Sequence, residues 1–169
     1  MLLIVSLFSY FLIFALLVAL AYRDVKEYIL PDYLNAALAL SFMAFHISTG
    51  WQFVTPAEAL GGAFMGGGLL LLIRAAANKF YQTDSLGLGD VKLMTAAGLG
   101  LGHPAILIAL SAGAFAGLLH GLYIAYAHKR VNKGKIPLGQ TNVPAGLGLT
   151  IGIALIILYQ FRFTWLDIG

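Results

Sequence analysis

The strongest constraint on this chain is the stretch Leu2 to Tyr22, twenty-one residues without a single Lys, Arg, Asp or Glu. A helix rises about 1.5 Å per residue, so about 20 residues cross a hydrocarbon layer ~30 Å thick, and the stretch reads as a spanning helix. A cleavable signal peptide is the competing reading, since Ala19-Leu20-Ala21 resembles a processing site. No basic residue precedes the run, however, and it is too long for such a segment. A second stretch, Val91 to Ala127, holds thirty-seven residues with Lys92 as its only Lys, Arg, Asp or Glu. One straight helix of that length would measure about 55 Å, nearly twice the hydrocarbon thickness, so it must fold back. Gly100-Leu101-Gly102-His103-Pro104 is the obvious turn, and Pro104 suits the opening of a new helix.

The remaining apolar stretches complete the pattern. One runs from Tyr33 to about Ile47 and breaks at Ser48-Thr49-Gly50, and another from about Ala57 to Ile73 closes at Arg74. The long stretch divides into a short fourth span and a fifth from about Pro104 to Ala127, and a sixth runs from about Val143 to Phe161. Gly62 and Gly66, and again Gly113, Gly117 and Gly121, recur at intervals of four, which places bare backbone on one helix face for close approach of a neighbour. The fold expected is therefore all-α: a polytopic membrane protein with six transmembrane helices in a single domain over residues 1–169.

Composition agrees, with 60% hydrophobic and 10% charged residues where soluble domains carry about 45–50% and about 25%. Lipid is the expected surrounding. The formal charge of +3 comes from basic residues scattered through an apolar chain and gives no basic patch for nucleic acid. It fits orientation in a bilayer instead. If the six helices alternate, Arg23, Lys26, Arg74, Lys79, Lys92, Lys129, Arg130, Lys133 and Lys135 fall on one side and only Arg162 on the other. Basic loops stay in the cytoplasm, so both termini are expected outside. The absence of cysteine excludes disulfides, thiolate metal sites and thiol nucleophiles.

Acids are few enough to audit. Glu58 suits the first turn of its helix and Asp167 a solvated tail, whereas Asp24, Glu27, Asp32, Asp84 and Asp90 gather on the cytoplasmic side. Asp90 follows Gly87-Leu88-Gly89, where two glycines let the backbone turn sharply and another chain come close. Capping of the fourth helix is the bland alternative for Asp90, and a solvated loop charge is the bland alternative for Asp24. Their shared position at helix ends raises both, because ionisable groups at a membrane boundary mark functional sites. Two carboxylates that meet there share one proton, and such a pair hydrolyses a peptide bond without a metal or cofactor. His46, His103, His120 and His128 show no ligand spacing, so no metal site is expected. The polar segment Asn78-Lys79-Phe80-Tyr81-Gln82-Thr83 predicts a mobile loop over 74–90.

The segments Asp24-Val25-Lys26-Glu27-Tyr28-Ile29-Leu30-Pro31-Asp32 and Asp84-Ser85-Leu86-Gly87-Leu88-Gly89-Asp90-Val91-Lys92-Leu93 resemble the two signatures of the type IV prepilin peptidases, GxGD-type intramembrane aspartic proteases. Ile136-Pro137-Leu138-Gly139 resembles a further stretch before that family's last helix. The resemblance implies Asp24 and Asp90 as the catalytic aspartates, with Gly87, Gly89 and Lys92 in supporting roles; Asp32 matches the family's Pro-Asp position and reads, by residue type, as N-cap of the second helix. The resemblance also implies cleavage of the leader from a prepilin or pseudopilin at the cytoplasmic face of the inner membrane. Many members carry an additional N-terminal portion with cysteine pairs, associated with N-methylation of the trimmed pilin. This chain starts at the first core helix and lacks cysteine, so a peptidase without methyltransferase activity is expected. The residues alone leave two rivals open. One is a proton-coupled transporter using the aspartates as a relay, and the other a noncatalytic membrane subunit in which Asp90 only caps a helix.

Overall fold

The computed structural model describes residues 2–82, 86–131 and 145–162. These residues form six helices and no strand: α1 (Leu2–Glu27), α2 (Asp32–Ser48), α3 (Pro56–Tyr81), α4 (Leu88–Leu101), α5 (Ala105–Val131) and α6 (Ala145–Gln160). Within α1, α3 and α5, the segments Leu2–Glu27, Pro56–Phe80 and Ala105–Ile124 are long and apolar enough to cross a bilayer, and α6 is a shorter apolar helix. The molecule is an all-α membrane protein.

Helix α4 occupies the centre, packed against α2, α3, α5 and α6. Its side chains Leu93, Met94, Ala97 and Leu101 are buried to 2% exposure or less. Between helices surrounded by lipid there is little hydrophobic drive, and close backbone contact takes its place. The glycines supply that contact. A Cβ on Gly62 of α3 would lie 2.7 Å from the Gly102 Cα and inside the envelope of the Gly98 carbonyl, and one on Gly66 would lie 2.6 Å from the Met94 carbonyl oxygen. On the other flank, α5 and α6 meet through Gly113 against Leu149, and through Gly148 and Gly152.

Several boundaries differ from expectation. Helix α1 continues past Tyr22 to Glu27, so Asp24 stands on a helix and not in a loop. Helix α3 does not close at Arg74 but runs to Tyr81, so residues 74–81 are helical where a mobile loop was expected. The reason is local: Ala75-Ala76-Ala77 sustains the helix, and the left-handed Gln82 ends it, its N–H bonding the Asn78 carbonyl. The rest of that expected loop falls partly on residues 83–85, outside the described residues. The expected turn at 100–104 does separate α4 from α5, with Gly102 at φ +69°. At α3 the acid of the first turn does more than answer the helix dipole. Thr55 and Glu58 form a reciprocal capping box.

Candidate active site

Helix α1 buries one face through Ile13, Leu17 and Leu20, and Asp24 continues the same stripe one turn beyond Leu20. Whatever buries those apolar side chains therefore also buries the carboxylate, which is 6% exposed. The helix then stops. Tyr28 adopts a left-handed φ of 54° while its N–H bonds the Asp24 carbonyl at 3.0 Å, and residues 29–31 carry the chain to α2. Leu30, 7% exposed, turns inward from this strap.

Asp90 arrives from α4. Gly87, not Asp90, is the N-cap residue of that helix; Asp90 stands three residues on, in the first turn, with its Oδ2 beside the Gly87 backbone. A Cβ on Gly89 would lie 2.8 Å from the Leu30 Cβ. Only glycine lets the start of α4 nest against the strap, and this contact brings the two segments together. They enclose a cleft of about 210 Å³ lined by Asp24, Tyr28, Ile29, Leu30, Gly87, Leu88, Gly89 and Asp90. Helices α1 and α4 do not pack on each other among the described residues; α2 and α6 bridge them, which leaves the cleft open between the two acids. A roomier groove of about 810 Å³ along Phe64, Leu72 and Leu107 is lined only by apolar residues and glycine and offers no reactive group.

Asp90 precedes the apolar stretch that begins at Val91, and it is 7% exposed. One of its oxygens, Oδ1, is buried without a hydrogen-bond partner among the described residues. Asp24 is better provided. Leu147, in the first turn of α6, donates its N–H to Asp24 Oδ2 at 2.8 Å. A Cβ on the preceding Gly146 would lie 2.8 Å from the Asp24 Cγ, so α6 forms a third wall of the site at backbone distance.

Of the residues singled out in the sequence, Asp24, Asp90, Gly87 and Gly89 share this cleft. Lys92 does not join them. Two residues on from Asp90 it points some 200° away around the helix, where its Nζ lies 2.6 Å from both carboxylate oxygens of Asp32. This corrects the role expected for Asp32: Pro31 occupies the N-cap of α2 without a side-chain bond, and Asp32 is the ionic partner of Lys92. Two further ties escaped the sequence reading. Asn35, 4% exposed, places its Nδ2 a long 3.5 Å from the Gly89 carbonyl, and Arg74 donates to the carbonyl of Leu86, one residue before Gly87. Gly146 and Leu147 were missed as well, since neither carries a reactive side chain. Ile136–Gly139 and Asp84 lie outside the described residues. Among the described residues no three His, Asp or Glu side chains converge as a metal ion would require.

Residues 11–122, which include both aspartates, match the type IV leader peptidase family. The chain belongs to that family. It is 30% identical over 130 residues to a prepilin leader peptidase/N-methyltransferase of Aeromonas hydrophila, an alignment covering 77% of this chain and 44% of the relative. The corresponding protein of Aeromonas salmonicida strain A449 is 29% identical over the same lengths. This type IV leader peptidase family member thus spans less than half the length of the curated relatives it matches. No solved structure matches it.

Proposed function

We propose that this protein is an intramembrane aspartic endopeptidase that removes the leader from type IV prepilins or pseudopilins, with Asp24 and Asp90 as its catalytic pair. The observation that carries the reading is the meeting of two buried carboxylates, sixty-six positions apart, in one small cleft. Such a pair holds one proton between its members and titrates as a unit. Its ionised member takes a proton from water as its protonated member polarises the scissile carbonyl. Glycines at 87 and 89 leave the backbone wall of the cleft bare, which suits the approach of an extended peptide.

The peptidase is a single membrane domain with six spans. Alternation of the spans leaves the basic loops in the cytoplasm and both termini outside, so the ends of α1 and α4 that carry the aspartates face the cytoplasm. A prepilin presents its scissile bond at that interface, between a cytoplasmic leader and an apolar helix, so the depth of the pair suits the substrate. The family match that covers both aspartates concerns leader peptidase activity, and we carry over that activity alone, without the N-methyl transfer in the relatives' name.

The decisive experiment replaces Asp24 and Asp90 separately with Asn in membranes and follows a prepilin substrate by mass shift. Loss of cleavage in each, with the protein still folded, is the expected result. Cleavage retained by either variant removes that residue from the chemistry, and an ion-dependent flux without proteolysis would make the protein a transporter. Transfer of a methyl group from S-adenosylmethionine to the trimmed pilin would refute the peptidase-only assignment.

A further inference from the structure

The two acids of the pair are not equivalent, and the difference comes from α6. Asp24 Oδ2 accepts the Leu147 N–H at 2.8 Å in the first turn of that helix, where backbone N–H groups lack helical partners and the helix dipole favours negative charge. Gly146 brings this turn to within contact of the Asp24 carboxyl carbon, an approach any side chain would prevent. Asp90 is less well provided: it too stands in the first turn of a helix, with the Gly87 backbone beside its Oδ2, but its other oxygen has no such donor. Its Oδ1 is buried without a hydrogen-bond partner among the described residues, which disfavours an anion and suits a carboxylic acid whose acceptor is still to arrive.

We infer that the first turn of α6 holds Asp24 as the ionised member of the pair and thereby divides the labour: Asp24 is the base that deprotonates water, Asp90 the acid that protonates the scissile carbonyl, and Gly146 and Leu147 are positioning residues. This rests on the aspartic peptidase reading. In the step it implies, the water oxygen bonds to the carbonyl carbon, its proton passes to Asp24, and the Asp90 proton passes to the carbonyl oxygen. As the resulting diol collapses, the C–N bond breaks, the proton on Asp24 goes to the leaving nitrogen, and a diol hydroxyl returns its proton to Asp90. Both carboxyls end as they began.

Among the described residues no other charge near Asp24 accounts for the asymmetry. From α4 it faces Asp90 across the cleft; the acid of α2, Asp32, is engaged by Lys92. On its own helix Arg23 pairs with Glu27 at 2.7 Å and Lys26 lies over the Tyr22 ring; Tyr28 lines the cleft, and Ala145–Thr150 of α6 carries no titratable side chain.

The test uses the intact protein in lipid nanodiscs, labelled with nitrogen-15 leucine. The amide resonance of Leu147 is expected to titrate with pH in the wild type, to keep titrating in Asp90→Asn, and to stop in Asp24→Asn. A Leu147 amide that does not titrate, or that still titrates in Asp24→Asn, overturns the inference. Leu147→Pro provides an activity readout, because it deletes the donor at a first-turn position that needs no N–H. The acidic limb of its cleavage profile is expected to move up by about one pH unit, with KM little changed and the alkaline limb in place. A folded Leu147→Pro protein with an unmoved acidic limb refutes the assignment, and if that variant does not fold the wild-type amide titration decides. Retained cleavage in Asp24→Asn and Asp90→Asn would defeat the peptidase reading itself, whatever the Leu147 amide does.

Discussion

Lys92 offers the sharpest separation of stability from positioning. Its Nζ reaches both oxygens of Asp32 at 2.6 Å, tying the start of α4 to the start of α2, yet the two side chains are 49% and 73% exposed. At that exposure an ion pair contributes about 0–1 kcal/mol, which for a domain of this size moves Tm by at most about 4 °C. Its leverage on the site is far larger, because Asp90 is two residues away on the same turn, and a displacement of about 1 Å at a reacting group can cost about a hundredfold in rate. Lys92→Met is therefore expected to lower kcat by about ten- to a hundredfold while KM and Tm scarcely change. Asp32→Asn should match it, and the double variant should be no worse than the poorer single, since each substitution breaks the same tie. The assay is prepilin cleavage in detergent micelles, with Tm followed on the same samples. Losses that multiply in the double variant, or full activity in Lys92→Met, would refute the reasoning.

Two further substitutions probe other parts of the structure. Gly98→Ala drives a methyl into the Gly62 backbone at the crossing of α3 and α4 and should cost about 1–3 kcal/mol, read as a fall in Tm, whereas unchanged stability would mean that the crossing is looser than described. Glu58→Ala breaks the capping box at α3 for about 1 kcal/mol and, being remote from the carboxylate pair, should leave cleavage intact. A loss of activity larger than its loss of folded protein would count against that.

How much of this was legible beforehand depended on what kind of contact each feature makes. The helices could be read because apolar length is a property of contiguous sequence, as in Leu2–Tyr22. The boundary at Tyr81 could not, since Arg74 resembles the end of a span, whereas a charged residue ends only the apolar stretch and not the helix. Asp24 and Asp90 stood out because reactive side chains are scarce in so apolar a chain. Gly146 and Leu147 act through a backbone N–H and a missing Cβ, neither of which leaves a chemical mark in the sequence. The exchange of Asp32 from helix cap to partner of Lys92 was equally invisible, since the sixty positions between them are closed only by the packing of α2 on α4.

The length of the central helix bears on how the pair can be buried and still border a cleft. With 14 residues, α4 is about 21 Å long, well short of a ~30 Å hydrocarbon layer, so its polar ends cannot both reach the membrane surfaces. In lipid, unpaired backbone groups are costly, and the protein must satisfy them itself. At one end it does so with side chains from the surrounding helices: His46 of α2 places Nε2 3.0 Å from the Gly100 carbonyl and Gln160 of α6 donates to the Leu101 carbonyl at 3.2 Å. His46 is stacked on Trp51 and 1% exposed, so this end is sealed. At the other end Arg74 donates to the Leu86 carbonyl and Asn35 lies 3.5 Å from that of Gly89, and the described residues leave a cleft beside them. That cleft is lined by the Tyr28–Leu30 strap, Gly87, Gly89 and both aspartates. On the proposed reading, a short helix closed at one end and bordered by a cleft at the other suits a shared-proton hydrolysis, which needs burial to hold the proton and room for water.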